Sequence, residues 1–269
     1  MFAKHWRLNL LALLGAVATV IAPLSDVYAQ QRSAEVPILV YHRFGPTVAD
    51  MMTVTTAVFE EQLAWLRDHQ YQIIPLGSLV SSLRDPSAPI PEHVVAVTAD
   101  DGHKSVYTEM FPLIKRYRFA VTLFIYPSAI SNASYALTWE QLAEMIKTGL
   151  VDVQSHTYWH PNFRHERARL SPDDYRTFVM TQLTRSKQVL ERHFGGSVDM
   201  LAWPFGIFDP ELEQWAALAG YRAAFTLERS AATRGSDPLA LPRYLMTDLD
   251  RGARFAAILG DSARSGAKP

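Results

Sequence analysis

The chain has 269 residues, 48% of them hydrophobic and 20% charged, with a formal net charge of -1 and no cysteine. This is the composition of a globular protein with one large domain or two small ones. Near-neutral charge argues against nucleic acid as a partner, and without cysteine there is no disulfide, thiol nucleophile or thiolate ligand.

Lys4 and Arg7 open the chain, Leu8 to Pro23 is almost wholly apolar, and Val27-Tyr28-Ala29 has the small or apolar residues of a cleavage site. This reads as a secretory signal peptide over 1–29, cut after Ala29, with export to the periplasm or the exterior. The apolar stretch is short for a span of about 20 residues, so no stable membrane span is expected after cleavage. No Cys follows for a lipid anchor. Residues 30–35 read as a short linker, 36–255 as one domain and 256–269 as a tail.

Pro37 to Tyr41 predicts a buried strand. Phe59, Leu63 and Leu66 then recur at helical spacing, and Gln72-Ile73-Ile74 is a second strand. Val94 to Val97 is a third, delivering Asp100 and Asp101. A helix is expected over Ser105 to Arg116 and a strand over Val121 to Ile125. Thr138 with Gln141 three residues on reads as a capped helix start, and Gly149 as its end. Val151-Asp152-Val153 delivers His156 and His160. Ser171-Pro172 opens a long helix with Tyr175, Phe178, Val179, Leu183, Val189 and Leu190 on its apolar stripe, stopped by Gly195-Gly196. Met200 to Trp203 is a strand, Pro210 to Leu218 a helix and Ala223 to Thr226 a strand. Alternating units with continuous apolar strands predict a single parallel α/β domain, barrel-like rather than open. No Gly-rich phosphate loop suggests a nucleotide cofactor. Functional groups of such folds gather at the carboxyl ends of strands. Asp100, Asp101, His156, the Pro204-Phe205-Gly206 turn and His42 all sit there.

Asp101, His156 and His160 offer one oxygen and two nitrogens, leaving positions open for water and substrate, as a hydrolytic Zn²⁺ site requires. Co²⁺, Ni²⁺ and Fe²⁺ suit the same set. Taken singly, an Asp-Asp-Gly turn and a His-x-x-x-His pair are weak signals; their joint placement at strand ends carries the reading. Asp100 is then free to act as general base, and His42 is the best-placed general acid. No Gly-x-Ser-x-Gly run supports a serine hydrolase.

Thr98 to Gly102, Ser155-His156 to His160-Pro161 and Ala202 to Gly206 resemble the first three motifs of the NodB-type polysaccharide deacetylases, carbohydrate esterase family 4. The resemblance runs from about Val36 to Met246. It implies a distorted (β/α) barrel, metal-dependent removal of N-acetyl groups from an amino-sugar polymer, Asp100 as base, and Asp101, His156 and His160 as metal ligands. The backbone N–H of Phe205 is implied to bind the oxyanion. This chain departs from the pattern in three ways. Ala99 stands where many members have Phe, Ala202 where many have Arg, and the late Leu-x-His motif is missing. Val40 to Phe44 and Leu241-Pro242-Arg243 are similar to the biofilm branch, the poly-N-acetylglucosamine deacetylases, which looks circularly permuted. There His42 supplies the acid, and Arg243 could partner Asp100 in place of an Arg at 202. Trp203 and Trp139 could stack on sugar rings, although core packing accounts for each, and His103 could touch substrate at the rim. The expectation is an N-deacetylase of a polysaccharide rich in N-acetylglucosamine. An O-acetyl esterase and a non-catalytic carbohydrate-binding protein are the alternatives.

Overall fold

A computed structural model describes residues 35–260, so the expected leader and cleavage site lie outside the described residues. The described residues belong to one compact unit. In chain order they form β1 (Ile38–Tyr41), β2 (Arg43–Gly45), β3 (Thr53–Thr55), α1 (Thr56–Asp68), β4 (Gln72–Ile73), α2 (Leu76–Arg84) and β5 (Val94–Asp100). A π-helical turn, Val106–Met110, leads into α3 (Phe111–Tyr117), followed by β6 (Val121–Ile125), α4 (Trp139–Lys147), β7 (Val151–Ser155), α5 (Phe163–Arg169) and α6 (Pro172–Phe194). Then come β8 (Met200–Ala202), a 3₁₀ turn at Pro204–Gly206, α7 (Pro210–Leu218), β9 (Ala223–Phe225), β10 (Tyr244–Leu245) and α8 (Ala253–Ile258).

The main sheet runs β10-β1-β5-β6-β7-β8-β9, with β4 added beside β5, and these strands pair in parallel. The segment ahead of β10 joins the two ends. Leu241 N donates to Ala224 O on β9 (2.8 Å), Thr226 N donates back to Leu241 O (2.9 Å), and Met246 N donates to Val40 O on β1 (2.9 Å). The outcome is the predicted distorted (β/α) barrel in one domain.

Successive side chains on a strand point to opposite faces, and that alternation places the site. Leu39, Tyr41, Val95, Val97, Ala99, Leu123 and Ile125 pack with the helices in the larger apolar cluster. Ile38, Ala96, Phe124, Met200, Ala202 and Phe225 form a second cluster on the inner face, to which α2 adds Leu76, Leu79, Val80 and Leu83. Continuing the inner parity outward gives His42 after β1, Asp100 ending β5, Tyr126 after β6 and His156 after β7. Tyr41 pairs with Ala99 and Ile125 with Ser155, so these positions fall beside one another at one end of the barrel.

Local signals set the helix ends. Thr138 and Gln141 form a reciprocal capping box, Ser171 caps α6 through Asp174 N, and Gly195 ends α6 at φ 71°. The helix expected over Ser105 to Arg116 instead begins as a π turn. Pro112 has no N–H for the carbonyl one turn back and its ring would crowd that carbonyl, so the widened turn ahead of it relieves the conflict. The domain also continues past residue 255, where the tail was expected to begin. Phe255, Ile258 and Leu259 are buried, and Tyr71 Oη donates to Leu259 O (2.8 Å). The short elements β2, β3, α2, α5, β10 and α8 were not anticipated.

Gly102 follows the Asp pair at φ 71°, and a Cβ there would lie 2.8 Å from Ile125 Cδ1 and 3.2 Å from Ile130 Cδ1. Both isoleucines are fully buried. Gly102→Ala should therefore lose about 2–3 kcal/mol from backbone strain plus overpacking. Urea unfolding measures this, and a loss well below 1 kcal/mol would mean the turn relaxes.

Candidate active site

The carboxyl ends of the strands surround a cleft of about 700 Å³ that contains His42, Asp100, Asp101, His156, His160 and Phe205. Beneath it lies Arg243, which is fully buried. Its Nη1 donates to Asp100 Oδ1 at 2.8 Å and its Nη2 to Asp100 Oδ2 at 2.7 Å, a bidentate fork. Nη1 also reaches Thr98 Oγ1 (3.2 Å) and Nε reaches Thr226 O (3.1 Å). Thr98 and Asp100 share the inner face of β5, so the guanidinium lies along that face. Burial pushes the Asp100 carboxyl pKa up, but the Arg243 charge, His156 and the Arg243 hydrogen bonds outweigh it, and the net shift is down. The carboxylate is therefore held ionised inside the barrel.

Asp101 turns away from Arg243 and toward the two histidines. Its Oδ1 is 3.5 Å from His156 Nε2 and 3.6 Å from His160 Nε2. One donor atom from each of the three residues lies within 4.8 Å of the others. Ligand bonds of about 2.0–2.2 Å at a tetrahedral centre leave ligand atoms roughly 3.4 Å apart, so the set fits a divalent cation with little adjustment. His156 Nδ1 lies 2.8 Å from Ala202 O. With the proton on Nδ1, the Nε2 lone pair faces Asp101 and His160, the support that metal-binding imidazoles use. Burial alone would lower the His156 pKa; hydrogen bonding to Asp101 and the charges of both aspartates outweigh it and raise it. His160 is pushed down to about 4 by burial and by the neighbouring His156.

His42 is buried in the cleft wall, and its Nδ1 has no hydrogen-bonding partner among the described residues. Burial lowers its pKa against the pull of Asp100 and Asp101. Phe205 is 57% exposed at the mouth, with its ring edge-on to His160 at 4.5 Å.

The family model described as polysaccharide deacetylase matches residues 87–224, just over half the chain. The chain belongs to the polysaccharide deacetylase family. Among relatives it resembles, the poly-beta-1,6-N-acetyl-D-glucosamine N-deacetylase of Staphylococcus aureus is 25% identical over 201 residues, covering 73% of this chain and 68% of that protein. IcaB from Ammonifex degensii is 26% identical, with a TM-score of 0.73 over 84% of this chain and 97% of that one. The Streptococcus pyogenes deacetylase PplD shares the fold, with a TM-score of 0.75 at 23% identity over 84% of this chain and 99% of that one. The relatives that this deacetylase resembles thus include poly-N-acetylglucosamine deacetylases. The matched stretch contains Asp100, Asp101, His156, His160 and Phe205 but neither His42 nor Arg243, which the structure brings beside Asp100.

Two aromatic expectations need correction in this deacetylase. Trp203 is 1% exposed, and its indole N–H donates to Leu239 O (2.9 Å), so it has no face to offer a sugar ring. It is a buried residue of the cleft wall instead. Trp139 lies at the start of α4, where His193 covers it in a parallel stack at 3.8 Å, and it does not line the cleft. His103 does line the rim, with Nδ1 2.8 Å from Ser105 Oγ. Sequence reasoning missed Arg43, Tyr126, Tyr135 and Leu227, which share the cleft. For Tyr126 the inner-face parity of β6 was the available signal.

Replacing Arg243 by Met strands the Asp100 charge inside the barrel and should destabilise the protein by about 3–5 kcal/mol. Adding Asp100→Leu removes that charge and should return most of the loss. Denaturant titration of the single and double variants checks both, and an additive double variant would show that the pair is not coupled.

Proposed function

We propose that the protein is an exported, metal-dependent N-deacetylase acting on a polysaccharide rich in N-acetylglucosamine. The observation that carries this reading is the division of labour between two adjacent carboxylates. Asp100 is neutralised by Arg243, and Asp101 is left to a two-histidine cluster in the same cleft. Two neighbouring carboxylates with unlike environments suit unlike tasks. Asp101, His156 and His160 would hold the cation, with Zn²⁺ the best match and Co²⁺, Ni²⁺ or Fe²⁺ also compatible with the donor set. A divalent cation bound there supplies Lewis acidity toward a carbonyl oxygen and toward water.

Asp100 accepts the proton of the attacking water. Arg243 takes one lone pair from each carboxylate oxygen, which leaves others free for that proton. The same pairing weakens Asp100 as a base, so its partner must be an acidified water rather than a bulk one. Water adds to the acetyl carbon, and the carbonyl oxygen gains charge near the Phe205 N–H, which donates to no other group among the described residues. Phe205 serves as well as any residue, since only its backbone acts. His42 lies beside Asp100 in the strand register; the proton taken from water passes from Asp100 to His42, which gives it to the nitrogen as the C–N bond breaks. Acetate and a free amine on the polymer result.

The leader ending at Ala29 supports export, and among the described residues no helix is long and apolar enough to cross a membrane. Ala202 in place of Arg and the missing late Leu-x-His motif would favour the non-catalytic binding alternative, but Asp100 already has a guanidinium partner from another element.

Asp100→Asn should keep its metal and lose turnover by about 10²–10⁴-fold. His156→Ala should lose the metal as well. Metal content and acetate release from N-acetylglucosamine oligomers test both, and full turnover in Asp100→Asn removes that residue from the mechanism. In His42→Ala, activity on N-acetyl sugars should fall far more than on O-acetyl esters, because an amine leaving group needs a proton more than an alkoxide does. Equal losses would mean His42 is not the acid.

A further inference from the structure

Two cleft tyrosines have no task in the reaction above. Tyr126 packs its ring against both imidazoles, with centroids 5.4 Å from His160 and 6.3 Å from His156. Tyr135 reaches in from the loop ahead of α4 and lies parallel to His103 (11°, 6.4 Å). That loop is fixed to the Asp-Asp-Gly turn, since Lys104 N donates to Tyr135 O (2.7 Å) and Leu137 N to Gly102 O (2.9 Å). The two hydroxyls are 2.9 Å apart, hydrogen-bonded to each other and open to the cleft. Neither makes another hydrogen bond among the described residues.

A phenol carries one proton and two lone pairs. The mutual bond uses one proton and one lone pair, so the pair still offers one proton and three lone pairs. They come from two oxygens held a hydrogen-bond length apart. Equatorial hydroxyls on neighbouring pyranose carbons also stand roughly a hydrogen-bond length apart. Such a diol can donate two protons to the pair and accept one from it.

We infer that the Tyr126–Tyr135 pair binds the free 3- and 4-hydroxyls of the amino sugar being deacetylated and thereby selects the polymer linkage. This rests on the N-deacetylase reading above. The acetamide on carbon 2 neighbours the 3-hydroxyl, and Tyr126 neighbours both histidines at which the acetamide would react. In a 1,6-linked polymer every internal sugar keeps both hydroxyls. In a 1,4-linked polymer the 4-oxygen of an internal sugar is part of the glycosidic bond, has no proton and carries the next ring. The pair therefore favours internal residues of a 1,6-linked chain.

The test compares metal-loaded wild type with Tyr126→Phe, Tyr135→Phe and the double variant on β-1,6- and β-1,4-linked N-acetylglucosamine oligomers of equal length. Phe keeps each ring, and melting temperature and metal content report on the fold. Wild type should prefer the β-1,6 oligomer. Each variant should lose about three- to tenfold in kcat/KM on it, mainly through KM, with the β-1,4 rate unchanged. Equal losses on both oligomers would mark the pair as structural and overturn the inference, as would unchanged kinetics on both. Release from both oligomers at a ratio that the variants leave unchanged overturns linkage selection while the N-deacetylase reading stands. No acetate from either oligomer with wild type overturns both.

Discussion

The buried ion pair between Arg243 and Asp100 is the constraint on which the cleft depends. Taking either charge out of water costs several kcal/mol, and attraction in the interior offsets this only with good geometry and with the remaining donors satisfied. Here the fork is bidentate, Thr98 Oγ1 and Thr226 O take further guanidinium protons, and the guanidinium carbon lies 5.4 Å from the Phe124 ring and 5.8 Å from the Phe225 ring. An apolar pair of similar volume would serve stability as well. What the ion pair adds is a carboxylate of fixed charge and fixed orientation at the barrel mouth. Arg243 belongs to the segment that joins β9 to β1, so closing the barrel and setting the charge of Asp100 are one event.

The cleft also concentrates backbone strain. Asp101 (φ 71°), Thr157 (65°), His160 (62°) and Phe205 (57°) are non-glycine residues in the left-handed region, each at a cost of about 1–2 kcal/mol. Geometry explains why Asp101 bears it. Adjacent residues of an extended strand point to opposite faces, so two neighbouring aspartates can share one cleft only if the chain turns between them. The left-handed turn at Asp101, with Gly102 N donating to Asp100 O at 3.0 Å, does that. The His156 to His160 loop is likewise over-determined. His160 N donates to Thr157 Oγ1 (3.2 Å), Trp159 N to Gln182 Oε1 (3.1 Å), and Ser155 Oγ to Ser186 Oγ (2.8 Å), which ties the loop to α6.

The parts of this arrangement that were legible in the sequence are those governed by short-range periodicity. Apolar runs gave the strands, capping residues gave the ends of α4 and α6, and strand ends gave the positions of Asp100, Asp101 and His156. Long-range packing was not legible. Nothing local distinguishes a Trp whose indole N–H meets a carbonyl 36 residues away from one that faces a sugar, and so Trp203 could be read either way. Trp139 is covered by His193, a partner on a distant helix. By its local pattern Arg243 is an ordinary strand-edge residue; only the resemblance to the biofilm branch pointed it at Asp100, and the pairing itself needs the last segment to close the barrel. Tyr126 is different, because the parity that points Asp100 inward on β5 points Tyr126 inward on β6. No motif surrounds it.

Ala202 and Arg243 are best understood together. Ala202 sits on the inner face of β8, pairs with Phe225 and gives its carbonyl to His156. A long cationic side chain there would enter the same interior that the Arg243 guanidinium fills from the other side. Asp100 is the acidic partner that the Arg243 guanidinium meets there, and one carboxylate neutralises one guanidinium. A second would be left as a buried unpaired cation, at a cost of several kcal/mol. Position 202 is therefore small because position 243 is occupied. Judged by its motif, the chain lacks a guanidinium partner for Asp100; judged by where the guanidinium ends up, Asp100 has that partner from a later segment of the chain.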